Sequence, residues 1–134
     1  MDIRIQCLCI DSPHPSRSAN FWEAALGWRR THDTDSEVVL EPPAGSPEDG
    51  VAPDLLFLKV PEPKSGKNRL HLDIHASGFP SRSDPLATRR QRVDAEARRL
   101  TDLGATLTGA LSADGLDHYA VGMKDPEGNE FDIN

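Results

Sequence analysis

Long apolar runs are missing from this chain: no hydrophobic stretch approaches the roughly 20 residues of a bilayer-spanning helix, so no membrane partner is expected. A basic excess is missing too. Fifteen Lys and Arg face 22 Asp and Glu, a net charge of −7, whereas nucleic-acid surfaces need a net basic face. No nucleic-acid partner is expected, and the local run Arg89, Arg90 and Arg92 reads as an exposed helix face. Cysteine is scarce. Cys7 and Cys9 stand two apart on one predicted strand, a spacing that disfavours a bridge between them. Met1 to Ile5 leads straight into a strand pattern without the apolar core of a secretory signal, and with no disulfide framework a reducing, cytoplasmic setting is the expectation.

What is present fits one domain's worth of chain. Its 134 residues are 37% hydrophobic and 28% charged, with 11 prolines and 10 glycines, which predicts a modest core and several short elements. The most informative stretch is 68–75, Asn-Arg-Leu-His-Leu-Asp-Ile-His. Its strict alternation reads as a half-buried strand, with Leu70, Leu72 and Ile74 on one face and Arg69, His71, Asp73 and His75 on the other. Two imidazoles, a carboxylate and a guanidinium in file read as the wall of a polar cleft.

The remaining elements follow in order. A first strand is expected over 3–10. Pro15 then opens a helix whose apolar face is Ser18, Phe21, Trp22, Ala25 and Leu26, and Gly27 stops it in the left-handed conformation. Strands are predicted over 28–34, 37–41 and 54–60, with a Pro/Gly-rich loop over 42–53. After the central strand and a loop over 76–84, a second helix begins at Asp84-Pro85, buries Val93, Ala97, Leu100 and Leu103, and ends at Gly104. Strands at 105–111, 118–124 and 129–133 complete the chain, with a turn at Asp125-Pro126-Glu127-Gly128. Strand, helix, Leu-Gly stop and three strands therefore occur twice, which predicts an α+β fold of two tandem βαβββ modules, about 1–62 and about 68–134, within a single domain. The helices should cover one face of each sheet and leave the other to line a cleft.

This element order, the Phe21-Trp22 and Leu26-Gly27-Trp28 helix end, the run from Pro63-Lys64 to Asp73, and Asp125 to Phe131 together resemble the vicinal oxygen chelate superfamily. Within it the chain is similar to glyoxalase-like domains of the actinobacterial type, akin to glyoxalase I and bleomycin-resistance proteins. The resemblance covers nearly the whole sequence and implies a curved sheet around a cleft. It also implies a divalent ion there (Zn, Ni, Mn or Fe), bound by the first and last strands of each module. Carried over by position, the second module offers His71 and Asp132 as metal ligands and catalytic groups. The first module departs from the pattern: Cys7, or Gln6 if the register slips, stands where a histidine is expected, and the expected acid falls among Leu56, Phe57 and Leu58. A glyoxalase I mechanism is poorly served by that half-empty set.

Three functions compete on these residues. In the first, the cleft binds a small organic molecule without a complete glyoxalase I metal site, contacted by Arg69, Asp73, Glu130, Cys7, Tyr119 and Trp28. In the second, His71 and Asp132, with Cys7, Gln6 or a substrate atom completing the shell, serve a metal-dependent lyase, isomerase or dioxygenase. A His–carboxylate pair could also act as a general base without metal. In the third, the chain is a structural or partner-binding module. Open sheet edges make a homodimer the expected assembly.

Overall fold

The computed structural model describes residues 3–78, 83–111 and 114–134. Its elements are β1 (Cys7–Ser12), α1 (Pro15–Leu26), β2 (Arg29–Asp33), β3 (Glu37–Glu41), β4 (Asp54–Lys59), β5 (Leu72–Ile74), α2 (Leu86–Asp102), β6 (Thr106–Ala110), β7 (Val121–Lys124) and β8 (Glu130–Ile133). They form two compact units, Met1–Lys64 and Ser65–Asn134, each with one helix and one four-stranded sheet. The strand orders are β1-β4-β3-β2 and β5-β8-β7-β6. In both, a parallel pair at one side is followed by two antiparallel pairings. The α+β class and the doubled βαβββ order are therefore what the chain adopts.

In the first unit, Pro15 sits where its missing N–H costs nothing, and Gly27 closes α1 at φ 67°, its N–H donating to the Glu23 carbonyl. Phe21 and Trp22 pack edge to face and are buried with Ala19 against Val38, Leu40, Leu55 and Phe57. Alternation along β3 and β4 sends those four residues to the helix side. Val39, Leu56 and Leu58 occupy the opposite, open face. In the second unit, Val93, Ala97 and Leu100 of α2 are buried, as are Val121, Met123, Phe131 and Ile133 of the sheet. Phe131 and Ile133 point to the core, so Glu130 and Asp132 share the open face.

Several strand ends differ from the sequence expectation. β1 begins at Cys7 rather than Ile3, because its partner β4 begins opposite Cys7. Ile3 and Ile5 lie ahead of the pairing, 81% and 67% exposed. The central strand shrinks to Leu72–Ile74. Asn68 is responsible: its Nδ2 donates to the Leu70 carbonyl at 3.1 Å and to the Glu130 carbonyl at 3.3 Å, bending the chain ahead of β5. Leu70, expected in the core, is 82% exposed. His118 and Tyr119 precede β7 rather than belonging to it. Part of the expected 76–84 loop lies outside the described residues.

Candidate functional site

The open face of the second sheet is polar by construction. β5 and β8 are parallel neighbours, with Leu72 opposite Phe131, Asp73 opposite Asp132 and Ile74 opposite Ile133. Asp73 and Asp132 therefore stand side by side on one face. His71 precedes the strand and turns its ring between them. Its Nε2 lies 3.3 Å from Asp132 Oδ2 and 3.5 Å from Asp73 Oδ1. One donor atom from each residue falls within 4.8 Å of the others. The Asp132 side chain is 25% exposed and those of His71 and Asp73 are 50% and 62% exposed, so the group opens to solvent.

Neighbouring side chains decide which acids are available. Glu130 is engaged: its Oε2 takes a hydrogen bond from the Asn68 backbone N–H and pairs with Lys67 Nζ, both at 3.1 Å. Beside Asp132 the sheet carries a hole rather than a side chain. Gly122 of β7 lies opposite Asp132, and a Cβ there would stand 2.6 Å from Thr108 Oγ1 and 3.6 Å from Asp132 Oδ1. Gly122 keeps backbone close to Thr108 and leaves the Asp132 carboxylate uncrowded.

Three ligands of the N, O, O type suit a borderline or hard divalent cation. Two ligands each about 2.1 Å from a metal at the tetrahedral angle stand about 3.4 Å apart. The 3.3 and 3.5 Å separations from His71 Nε2 match that spacing. His71, Asp73 and Asp132 are therefore the residues that could hold a divalent ion. Asp73 was expected only as a ligand-binding residue. Its place two residues from His71 on an alternating strand was the available signal for a third donor. Gly122 escaped the sequence reading, although a glycine inside a strand pattern marks a close approach.

The other predicted site residues fall elsewhere. Tyr119, expected to reach the pocket, lies against α2: its hydroxyl donates to Asp94 Oδ1 at 2.7 Å and its ring lies under Arg90, 4.6 Å to the centroid. The hydrogen bond to Asp94 raises the Tyr119 phenol above its ordinary range, with burial second. Arg69 is exposed ahead of β5. His75 is exposed, its Nε2 3.0 Å from the Gly78 carbonyl oxygen. Trp28 is half-buried just past the α1 stop. Cys7 is half-buried and Cys9 is exposed, both on the first unit's β1. Leu56 and Leu58 occupy open-face positions on the first sheet, so neither supplies a ligand where an acid was expected.

A family model described as the glyoxalase-like domain matches residues 7–134. No curated protein matches the chain. Among solved structures, it is similar to a glyoxalase/bleomycin resistance protein/dioxygenase family enzyme from Burkholderia phytofirmans PsJN, at 16% identity over 98% of both chains with a TM-score of 0.73. It is similar to the fosfomycin resistance protein FosX from Listeria monocytogenes, whose mutant was solved with Mn(II) and 1S,2S-dihydroxypropylphosphonic acid, at 10% identity over 100% of this chain and 90% of that one, TM-score 0.71. A glyoxalase-related enzyme from Fulvimarina pelagi aligns at 15% identity over 96% of this chain and 86% of that one, TM-score 0.63. At such identities the likeness is one of fold.

Proposed function

We infer, from the premise that the chain belongs to the glyoxalase-like domain family, that it binds a small oxygen-bearing organic molecule through a divalent cation held by His71, Asp73 and Asp132. The observation that carries this reading is the convergence of those three donors on one open sheet face. Two carboxylates against one imidazole leave the group net negative, which attracts a cation and repels an uncomplexed anionic ligand. The Mn(II) complex of FosX adds support from a protein of the same fold.

When bound, the cation would polarise an oxygen of the ligand as a Lewis acid. The chain's own residues divide the other tasks. Asp73 and Asp132 fix the orientation of the His71 ring, and Glu130, engaged by Lys67 and Asn68, braces the start of β8. Gly122 keeps side-chain bulk away from Asp132. A glyoxalase I assignment lacks acidic ligands on β4, where Leu56 and Leu58 face the open side. A dioxygenase triad of two histidines and one carboxylate is also not what this group supplies. Lyase or isomerase chemistry on a chelated ligand is the remaining enzymatic class.

The test is metal analysis of tag-free protein, followed by Mn2+ titration of the wild type, His71→Ala and Asp132→Asn. Near-stoichiometric binding is expected in the wild type, with a stabilisation of about 2.7 kcal/mol at 100 times the dissociation constant. Both variants should lose it. Wild-type affinity in His71→Ala would refute the cation reading. A second reading rests on the hydrogen-bond-length contact between His71 and Asp132: a metal-free pocket in which that pair binds the ligand or removes its proton. It is favoured if Mn2+ leaves the melting point unchanged while an organic ligand raises it and His71→Ala abolishes that rise.

A further inference from the structure

The open face of the second sheet carries one hydroxyl that the fold itself does not use. β6 is the outermost strand of that sheet. Leu107 stands opposite Met123, whose side chain is buried on the core side, so Thr108 faces the open side with Asp132. The ladder then slips, and Gly109 rather than Thr108 is opposite Gly122. Such a bulge leaves one residue without a partner and re-aims its side chain. Gly109 permits it at φ 139°, a conformation that residues with side chains rarely adopt.

The Thr108 hydroxyl comes to rest over bare backbone. A Cβ on Gly122 would stand 2.6 Å from Thr108 Oγ1, 3.5 Å from Leu111 Cδ1 and 3.6 Å from Asp132 Oδ1. One point on the face is therefore within reach of a hydroxyl, a methyl group and a carboxylate. Asp132 divides its oxygens between two neighbourhoods: Oδ2 lies 3.3 Å from His71, and Oδ1 is the one near Gly122. A molecule held at the His71 group can extend toward β6 without meeting a side chain at Gly122.

Structural duty does not account for this hydroxyl. Thr34 and Thr101 donate theirs to the Glu37 and Ala97 carbonyls at 3.1 and 2.8 Å. Thr108 Oγ1 has no hydrogen-bond partner among the described residues. Charge limits what it can meet. Asp132 Oδ1 would repel a second anionic group placed over Gly122, so an uncharged carbonyl or hydroxyl oxygen suits the position. Leu111, 56% exposed, offers apolar surface beside it.

We propose that Thr108 determines the specificity of this site: its hydroxyl hydrogen-bonds a second, uncharged oxygen of a small ligand whose first oxygen is held at the His71 group. The assignment rests on the cation reading above and gives the ligand a second anchor. His71, Asp73 and Asp132 hold the cation, and Thr108 selects the molecule that joins it.

Acetohydroxamate, with two oxygens and a methyl group, is the probe. Electron paramagnetic resonance of free Mn2+ gives the cation affinity, and water proton relaxation of the Mn2+-loaded protein reports probe binding. Thr108→Val should leave Mn2+ affinity at the wild-type value and weaken acetohydroxamate roughly 3–10-fold, the worth of one neutral hydrogen bond. Thr108→Ser returns the hydroxyl and should restore the affinity. Wild-type probe affinity in Thr108→Val, no rescue by serine, or no acetohydroxamate binding to the Mn2+-loaded wild type would each overturn the assignment and leave the cation reading standing. Loss of Mn2+ affinity in Thr108→Val would also overturn it, by making Thr108 a support of the cation. No Mn2+ binding to the wild type overturns both. Should valine crowd Gly122 and prevent folding, Thr108→Ala carries the same expectations.

Discussion

Replacing Asp125 by alanine would strip the turn that delivers Asp132 of its centre. Asp125 is 3% exposed. Its Oδ1 accepts the backbone N–H groups of Glu127 and Asn129, and its Oδ2 accepts Asn129 Nδ2, all at 2.9 Å. The Asp125 N–H donates to the Asn129 carbonyl at 2.8 Å, and the Gly128 N–H to the Asp125 carbonyl at 2.9 Å. Alanine leaves those backbone bonds available but removes three charge-assisted ones. A hydrogen bond to a charged group contributes about 1.5–3 kcal/mol, and an orphaned buried donor costs about 1–3 kcal/mol. These contributions overlap, and water can reach the half-buried Glu127 and Asn129, so about 3 kcal/mol is the expected net loss.

Asp125→Asn sharpens the test. Its single carbonyl oxygen can still accept both backbone N–H groups, and the Asn129 amide needs only to flip, so about 1 kcal/mol is expected. Urea unfolding reads the difference. With a slope of about 2 kcal/mol per molar, the midpoint should fall by about 1.5 M for alanine and about 0.5 M for asparagine. Asn129 leads directly into β8, so Mn2+ affinity should also drop in Asp125→Ala below its unfolding midpoint. An alanine variant within about 0.5 kcal/mol of wild type, the range of an ordinary surface change, would refute the reasoning. So would an asparagine variant no better than alanine.

Three further outcomes follow from single contacts. Gly122→Ala should destabilise by about 1–3 kcal/mol, because its Cβ would meet Thr108 Oγ1 at 2.6 Å; an unchanged melting point would show that Thr108 turns aside freely. Tyr119→Phe keeps the ring under Arg90 but loses the bond to Asp94, for about 1 kcal/mol near neutral pH. The phenol is raised in the folded state, so its contribution is complete below the unfolded value of about 10 and lost as pH rises through the folded one; the gap between the two proteins in thermal melts should narrow in that alkaline window. Burial, then Glu41, raise the Asp54 carboxyl, so its ionised form is held at a cost in the folded state at neutral pH. Asp54→Asn should therefore stabilise at pH 7, by under about 1 kcal/mol for a partly exposed group, with the advantage fading as pH falls below the carboxylate range; destabilisation at pH 7 would contradict it.

How much of this could be read from the residues alone depended on the range of the forces involved. The α1 start at Pro15 and stop at Gly27 were legible because both are local: a ring that fixes φ and a residue that tolerates φ 67°. β3 fell where its alternation placed it, at Glu37–Glu41. Strand ends were not legible, because a strand stops where its partner stops. Ile3 and Ile5 look like strand residues and find no partner, since β4 begins opposite Cys7. Leu70 continues the alternation of β5 on paper, yet Asn68 diverts its carbonyl and leaves the side chain in solvent.

The site shows the same division. Alternation put His71 and Asp73 on one face and Glu130 and Asp132 on another shared face, each within its own segment. Nothing in either segment says that the two faces are the same, because that follows from the parallel register pairing Asp73 with Asp132. Nor does parity distinguish Glu130 from Asp132. The distinction comes from the chain just before β5, where Lys67 and the Asn68 N–H engage Glu130 and leave Asp132 facing His71. The bend that shortens β5 and exposes Leu70 is therefore tied to the choice of acid in the site: Asn68 reaches both the Leu70 and Glu130 carbonyls. A straight eight-residue strand of the kind the sequence suggested would lack that bend, and with it the contacts that engage Glu130 and leave one open acid beside the imidazole.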